Sequence, residues 1–194
     1  MKRYLLCVVL VTQLFACASV DSLKQKALPI ASHSHVESIL AVKQWRLLGR
    51  LSVRNTKESW LTKLEWRHNE LIDGLILSTS LGGVVAKLEY SDSVIALSNI
   101  EGETRLVSEQ ELRELLGYSP PLSHLKFWVR GVANPRFTVQ AMPSPSLHVK
   151  AFEQDGWQVS LSKFHREGGL VLPSKVSLEK EGLKIKLVVD QWLM

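Results

Sequence analysis

Apolar and polar residues alternate with a period of two through most of this chain. In residues 45–54, Trp, Leu, Gly, Leu and Val alternate with Arg, Leu, Arg, Ser and Arg. Because successive side chains of a strand point to opposite faces, the period predicts strands with one buried face. The turns Asp155-Gly156 and Glu181-Gly182 suit hairpins. Segments with the pattern are 45–54, 60–67, 71–77, 84–90, 94–100, 103–107, 147–154, 157–164, 175–181 and 183–192.

Helical signals occur before the first strand and between two groups of strands. A helix with Ser34 near its N-cap precedes the first strand, and Ser108 with Glu111 forms a capping box for a second helix that ends at Gly117. A third helix is predicted over 122–131. About ten strands with helices between two strand groups indicate one mainly β domain. We expect an antiparallel, barrel-like sheet with helices on one side or plugging one end.

The first residues resemble a secretory signal peptide. Lys2 and Arg3 precede an apolar run that is too short for a membrane span, and the sequence Leu-Phe-Ala-Cys ends at Cys17. This ending resembles a bacterial lipobox, so we expect Cys17 to be lipidated and to become the first residue of the mature chain. The alternative is an ordinary signal peptide that happens to contain a cysteine.

These signals divide the chain into three segments. We predict a signal peptide at 1–16, a lipidated flexible tether at 17–34 and a single domain at 35–194. No Asp follows Cys17 directly, which favours the outer membrane as the address and its periplasmic face as the location. Two or more acyl chains suffice for stable anchoring.

The sequence offers no recognisable catalytic motif. It lacks a P-loop, a dinucleotide fingerprint, a zinc-peptidase helix and a serine-hydrolase elbow. Its six histidines are scattered, and the formal charge of +5 comes from basic residues interleaved with acids. We therefore expect no enzyme activity, no metal, no cofactor and no nucleic-acid partner.

Aromatic residues are the most distinctive remaining feature. Five of the six tryptophans occupy apolar positions of predicted strands or helices; these are Trp45, Trp60, Trp66, Trp128 and Trp157. Core packing is the simpler interpretation of each one. Together, wide aromatic side chains inside a sheet that does not close tightly would line a cavity of lipid size.

Several segments, taken in order, resemble the LolB family of outer-membrane lipoprotein receptors in the Gram-negative lipoprotein-localisation pathway. These segments are "WRLLGRLSV" (45–53), "LEWRH" (64–68), "LILSTSLGGVVAKLEY" (75–90), "ELLGYSPPLSHLKFWVRGVANP" (114–135), "GWQVSLSKF" (156–164), "LP" (172–173) and "IKLVVDQW" (185–192). The resemblance implies an open antiparallel β-barrel of about ten to eleven strands, with helices covering or plugging an apolar interior.

The resemblance also implies a function. The interior would accept the acyl chains of a lipoprotein from a periplasmic, LolA-like carrier, and the receptor, expected to be a monomer, would insert that cargo into outer-membrane lipid. Trp66, Trp128 and Trp157 match interior aromatic positions. A protruding loop with a Pro-Leu-Gly core is implied for membrane insertion. Leu81 and Gly82 match that core, whereas Ser80 replaces the proline.

Two other functions stay open at this point. A structural or scaffolding envelope lipoprotein would bind a protein partner without a lipid cavity, and its three implied cavity tryptophans would be packed solid. An enzyme acting on envelope lipids would need a nucleophile and a base beside the cavity.

Overall fold

The computed structural model describes residues 33–91, 94–144, 146 and 148–194. The described part contains three helices, which are α1 (His33–Ala41), α2 (Glu109–Leu116) and α3 (Leu122–Trp128). Its strands are β1 (Trp45–Arg54), β2 (Ser59–His68), β3 (Asp73–Ser78), β4 (Val84–Ser91), β5 (Val94–Ser98), β6 (Thr104–Val107), β7 (Gln140–Ala141), β8 (Val149–Gln154), β9 (Trp157–Glu167), β10 (Leu170–Lys180) and β11 (Leu183–Leu193).

All eleven strands form one antiparallel sheet. Its order is β6-β5-β4-β3-β2-β1-β11-β10-β9-β8-β7, so the first and last strands of the chain pair with each other in the middle of the sheet. The edges β6 and β7 do not pair, and the sheet is an open barrel. The mainly β fold with an unclosed antiparallel sheet is therefore confirmed.

Strand pairing in the centre of the sheet depends on one glycine. A Cβ added to Gly49 of β1 would collide with the backbone carbonyl of Val188 in β11. The register between β1 and β11 shifts between Leu48 and Gly49. Glycine at this bulge lets the two backbones approach closely.

The hairpin predictions agree with the structure. Asp155 and Gly156 have φ values of 52° and 72°, and Glu181 has a φ of 49°. Both turns therefore use the left-handed conformations that two-residue hairpins need. A third turn of this kind, Gly168-Gly169, extends β9 and β10 well beyond their predicted ends.

The predicted second helix is confirmed with its caps. The Ser108 side chain accepts a hydrogen bond from the Glu111 backbone N–H, while the Glu111 carboxylate accepts one from the Ser108 N–H. Gly117 adopts a φ of 74° and ends α2. These paired bonds satisfy donors that would otherwise lack partners at the helix start.

Other boundaries differ from the sequence predictions. Helix α1 begins at His33, before the predicted N-cap Ser34, and α3 ends at Trp128, short of Gly131. Strand β10 contains Pro173, which pairs with Phe164 of β9 but precedes the first residue paired to β11. A proline is tolerated there because its missing N–H costs the β11 ladder nothing.

The helices cover the concave side of the sheet. Ile39 of α1 and Trp128 of α3 pack into the larger hydrophobic core with β1, β2 and β8–β11. Leu112 of α2 belongs to a smaller core with Tyr90 and Ile95. Within the described residues, no helix has the length and apolar character needed to cross a membrane.

Candidate functional site

Two of the predicted site tryptophans lie together in the larger core. Trp128 is fully buried and its ring centroid is 6.4 Å from that of Trp157. The Trp128 Nε1–H donates to Gln154 Oε1 over 2.8 Å. Gln154 also accepts from the Asn134 backbone N–H and donates to the Asn134 carbonyl, so this residue at the end of β8 binds both α3 and the segment that follows α3.

Trp66 lies in a second aromatic group of the same core. Its ring is 5.2 Å from that of Trp45, and its Nε1–H donates to Asp73 Oδ1 over 2.9 Å. His68 shares that carboxylate oxygen at 2.8 Å and stacks on Trp45. Trp66 therefore supports a buried polar group at the start of β3.

All three tryptophans are enclosed by other side chains. Trp66, Trp128 and Trp157 are only 3%, 0% and 4% exposed. In this conformation Trp66 and Trp128 contact only the core, while Trp157 also borders a pocket between the helices and the turns at one end of the sheet. Their assignment to an acyl-chain cavity stays a prediction, and it requires the groups that cover them to move apart.

The concave face continues beyond this packed core as a row of leucines. Strand register places Trp66 opposite Leu75, Leu75 opposite Leu88, and Leu88 opposite Leu97. Trp66 is buried, whereas the three leucines are only half-buried. The inner-face row, Leu75–Leu88–Leu97, is therefore an apolar surface that the helices cover only in part.

The inner-face row was not predicted from the sequence, because its leucines carry no signal as distinctive as the tryptophans. The period-two pattern of β3, β4 and β5 does place these leucines on one face. It does not show which part of that face the helices leave open.

A pocket of about 650 Å³ opens near this face. Its volume falls within the range of ordinary ligand pockets. The residues around it come from β1–β4, the β3–β4 loop and α2; they are Arg50, Trp60, Leu61, Thr62, Lys63, Leu77, Thr79, Ser80, Val85, Ala86 and Leu116. Apolar side chains from the concave face and from α2 thus meet beside the β3–β4 loop.

That loop presents Leu81 to solvent. The Leu81 side chain is 97% exposed. The Gly82 N–H donates to the Thr79 carbonyl over 3.0 Å, and the Thr79 N–H donates to the Gly83 carbonyl over 2.8 Å. Gly82 has a φ of 95°, which favours glycine. The turn is closed by its own backbone bonds, so it holds an apolar residue outward without support from packing.

A buried arginine ties the covering helices to one another. Arg130 Nη1 donates to the carbonyl of Ile39 at 2.9 Å and to that of Val42 at 3.2 Å. Its Nε donates to the Lys126 carbonyl at 2.8 Å. Burial lowers the pKa of Arg130 to about 10, with the charge of Asp73 opposing that shift, so the guanidinium remains charged at neutral pH. Separating α1 from α3 would break the bonds from Arg130 to Ile39 and Val42.

A second pocket, of about 970 Å³, lies between α2–α3 and the turns at one end of the sheet. His124 and Trp157 are among the residues around it. Burial lowers the pKa of His124, while the nearby Asp155 carboxylate, 3.5 Å from Nε2, acts in the opposite direction. The imidazole is therefore held towards its neutral form at this end.

A family model described as "Outer membrane lipoprotein LolB" matches residues 43–192. The chain belongs to the LolB family. The LolB match runs from just before β1 to Trp192 near the end of β11, and so includes the Leu81 loop and all three predicted site tryptophans.

Individual LolB relatives extend this similarity. The chain is 30% identical to an outer-membrane lipoprotein LolB of Ectopseudomonas mendocina, over 99% of this chain and 97% of the relative. It is 32% identical to the LolB of Shewanella loihica, over 82% of this chain and 76% of the relative.

Solved structures share the fold of this chain at low sequence identity. A domain from Vibrio parahaemolyticus, provisionally described as an outer membrane lipoprotein-sorting protein, matches with a TM-score of 0.52 at 8% identity, covering 82% of this chain and 89% of the domain. A DUF1329 family protein from Desulfovibrio piger matches with a TM-score of 0.50 at 8% identity, covering 82% and 88%.

The predicted anchor lies outside the described residues. The signal peptide, Cys17 and all but the last two residues of the predicted tether fall within 1–32. Lipidation of Cys17 thus stays a prediction from the sequence.

Proposed function

We propose that this chain is a lipoprotein receptor held at the periplasmic face of the outer membrane through lipidated Cys17. It accepts acylated lipoproteins from a periplasmic, LolA-like carrier by binding their acyl chains, and it inserts them into outer-membrane lipid. It acts as a monomer and catalyses no covalent step. Membership of the LolB family is the observation that carries this proposal.

The concave face supports an acyl-chain site. The inner-face row consists of half-buried leucines that continue a packed apolar core, and a pocket of about 650 Å³ opens beside it. Such a surface suits flexible hydrocarbon chains, which need apolar contact but no directional bonds. We assign the first contacts of the cargo to the inner-face row, with the buried tryptophans reached after the helices separate.

Free-energy considerations support a passive handover. Each buried methylene contributes about 0.8 kcal/mol, so a cargo with several acyl chains needs an apolar host at every stage. The sequence carries no nucleotide-binding motif that would drive the transfer. Transfer must run downhill from carrier to receptor to bilayer, and a partly covered surface holds acyl chains less tightly than a membrane does.

One observation favours the scaffolding alternative. The three predicted cavity tryptophans are almost fully buried in this conformation, as that alternative expects, although Trp157 borders the pocket of about 970 Å³. The two functions differ in whether the inner face ever contacts lipid, and this can be measured.

The test is cargo acceptance in solution, without a membrane. The mature chain carrying Cys17→Ala would be mixed with a carrier–lipoprotein complex, and cargo movement would be followed by co-purification. Leu97→Gln places a polar group in the inner-face row and should reduce acceptance. Val94→Gln is the matched control, because Val94 is 55% exposed on the same strand and points the other way.

Acceptance by the parent chain with selective loss in Leu97→Gln supports the receptor function. Failure of the folded parent chain to take any cargo favours the scaffold. Equal effects of the two substitutions would refute the inner face as the binding surface.

A further inference from the structure

We propose that the β5–β6 turn is a second membrane-contacting tip, with Ile100 entering the same lipid surface as Leu81. This inference rests on the proposed function and adds a binding residue and an orientation to it. The Ile100 side chain is 68% exposed, and it lies beside the Leu81 loop at one end of the sheet.

Strand register fixes the relative position of the two turns. Lys87 near the start of β4 pairs with Ser98 at the end of β5, and Ser98 pairs with Thr104 at the start of β6. The β3–β4 and β5–β6 turns therefore leave the sheet at the same end. Across the strands their midpoints are separated by two strand spacings, or roughly 10 Å. Along the strands the β5–β6 turn begins about three residues, or roughly 10 Å, short of the β3–β4 turn, because Ser98 pairs with Lys87 whereas Ser78 pairs with Val84. The sheet must therefore tilt for both tips to reach one lipid surface.

The two turns are built in the same way. In the first, Gly82 N–H donates to the Thr79 carbonyl, and the Thr79 hydroxyl oxygen accepts from Gly83 N–H over 3.2 Å. In the second, Gly102 N–H donates to the Asn99 carbonyl over 3.2 Å.

The Asn99 side chain has the same role in the β5–β6 turn as the Thr79 side chain has in the β3–β4 turn. Its Oδ1 accepts from the Glu103 N–H over 2.9 Å, as the Thr79 hydroxyl does for Gly83. Gly102 has a φ of 85°, close to the 95° of Gly82. Each turn thus has internal partners for much of its backbone, which lowers the cost of leaving water. Each also presents one large apolar side chain.

The two turns with a large exposed apolar side chain, Leu81 and Ile100, occupy one half of this end of the sheet, although Glu101 is also exposed in the second turn. The turns 55–58, 155–156 and 181–182 lie at the same end, since β1, β9 and β11 meet their neighbours there. Their exposed tips include Lys57, Asp155 and Glu181, which are charged. The apolar half is flanked by further exposed apolar residues on β2 and β4, namely Leu61, Val84 and Val85. The part of this end formed by the β3–β4 and β5–β6 turns, which we call the apolar corner, is therefore the part suited to contact lipid.

A lipid surface fits this corner better than a protein partner does. The two tips are narrow, convex and separated both across and along the strands, whereas a stable protein interface needs a contiguous surface of roughly 1,000 Å². Glu101 and Glu103 beside Ile100 also exclude attraction to anionic headgroups as the main force. Insertion of apolar side chains remains as the source of binding.

The predicted anchor brings this corner within reach of the membrane. From Cys17 to His33 the chain can extend about 55 Å. Strand β1, with ten residues, is about 33 Å long. The tether is thus long enough for either end of the sheet to face the membrane. Leu71 and Ile72 are exposed at the opposite end, so the choice of the end with Leu81 and Ile100 is part of this proposal.

The opposite end offers a matched control. Leu71 lies at the tip of the β2–β3 turn, is 74% exposed and points away from the Leu81 end of the sheet. Leu71 and Ile100 are similar in size and exposure, so they differ chiefly in position.

The experiment measures contact with lipid directly. Full-length lipidated protein would be placed in phospholipid vesicles after Ile100→Cys, Leu81→Cys or Leu71→Cys, and a polarity-sensitive fluorophore would be attached. Brominated lipids should quench the label at positions 81 and 100 but not at 71. Quenching at 81 without quenching at 100 would overturn the inference, as would equal quenching at 71.

A functional readout separates this inference from the proposed function. Ile100→Gln should lower cargo delivery to vesicles by about tenfold while cargo acceptance in solution stays normal. Ile100→Leu should deliver normally, and Leu71→Gln should have no effect. Loss of acceptance in the parent chain would count against the proposed function, whereas normal delivery by Ile100→Gln would count against the second tip alone. If Ile100→Gln instead impaired acceptance, the turn would be a carrier-docking site.

Discussion

Leu81 provides the sharpest test of the proposed delivery of cargo to the membrane. Its side chain is 97% exposed at the tip of a turn that its own backbone bonds hold closed. Replacing Leu81 should therefore change the free energy of unfolding by no more than about 0.5 kcal/mol. Leu112 of α2, which is 2% exposed, is the buried reference, and Leu112→Ala should cost about 2–5 kcal/mol.

Function should depend on Leu81 much more strongly than stability does. Leu81→Ala removes three carbons, worth about 2.4 kcal/mol at 0.8 kcal/mol each if the side chain enters lipid completely. That corresponds to a loss in delivery of roughly fiftyfold. Leu81→Glu should be worse because a carboxylate resists transfer into hydrocarbon, and Leu81→Phe should deliver nearly normally.

A two-step assay separates the possible roles of Leu81. Cargo is first transferred from the carrier to the receptor in solution, and liposomes are then added. Leu81→Glu should load normally, fail to deliver and accumulate as loaded receptor, while Leu71→Glu at the opposite end should behave as the parent does. Equal loss of both steps, or a large fall in melting temperature, would show that Leu81 is structural and would refute the reasoning.

Three further predictions concern the core, pH and the anchor. Gln154→Met should lower the free energy of unfolding, measured by urea titration, by roughly 3 kcal/mol or more, because it leaves several buried groups around Trp128 and Asn134 without hydrogen-bond partners. Gln158 is exposed, so Gln158→Met should have little effect. Burial lowers the pKa of His124 below its ordinary 6.5 in the folded state. The unfolded chain therefore binds this proton more readily, so the protein should have its full stability above pH 6.5 and should lose the His124 contribution as the pH falls through the folded-state pKa. His124→Gln should flatten this part of the melting temperature profile, and an unchanged profile would exclude His124 as its cause. Cys17→Ser should remove the acyl mass from the mature chain and release it from the membrane fraction, and an unmodified Cys17 in the parent protein, seen by mass spectrometry, would contradict lipidation.

Local signals in the sequence predicted local structure well. The capping box of Ser108 and Glu111 and the stop at Gly117 fix α2, because each depends on bonds within a few residues. The turn at Asp155-Gly156 is equally local. The short strand β7 was missed because its two residues are strand only through pairing with Phe152 and Glu153 of β8.

The candidate site was predictable only in part. The period of two placed Trp66 on the inner face, and the sequence of the β3–β4 turn placed Leu81 at a tip. No pattern along the chain could show that Trp66 packs against Trp45 while Trp128 binds Gln154, since these partners come from different elements. The half-buried state of the inner-face row likewise depends on how far α1, α2 and α3 extend over the sheet.

The sequence by itself determined ten of the eleven strands, their inward faces, the main turns and the capped helix, because these depend on side-chain period and on hydrogen bonds between near neighbours. Tertiary structure alone decided that β1 pairs with β11, that Arg130 links α1 to α3, and that Leu81 and Ile100 share one end of the sheet. Those relations join residues far apart in the chain. They are fixed by burial and backbone pairing across the whole sheet, which no local pattern encodes.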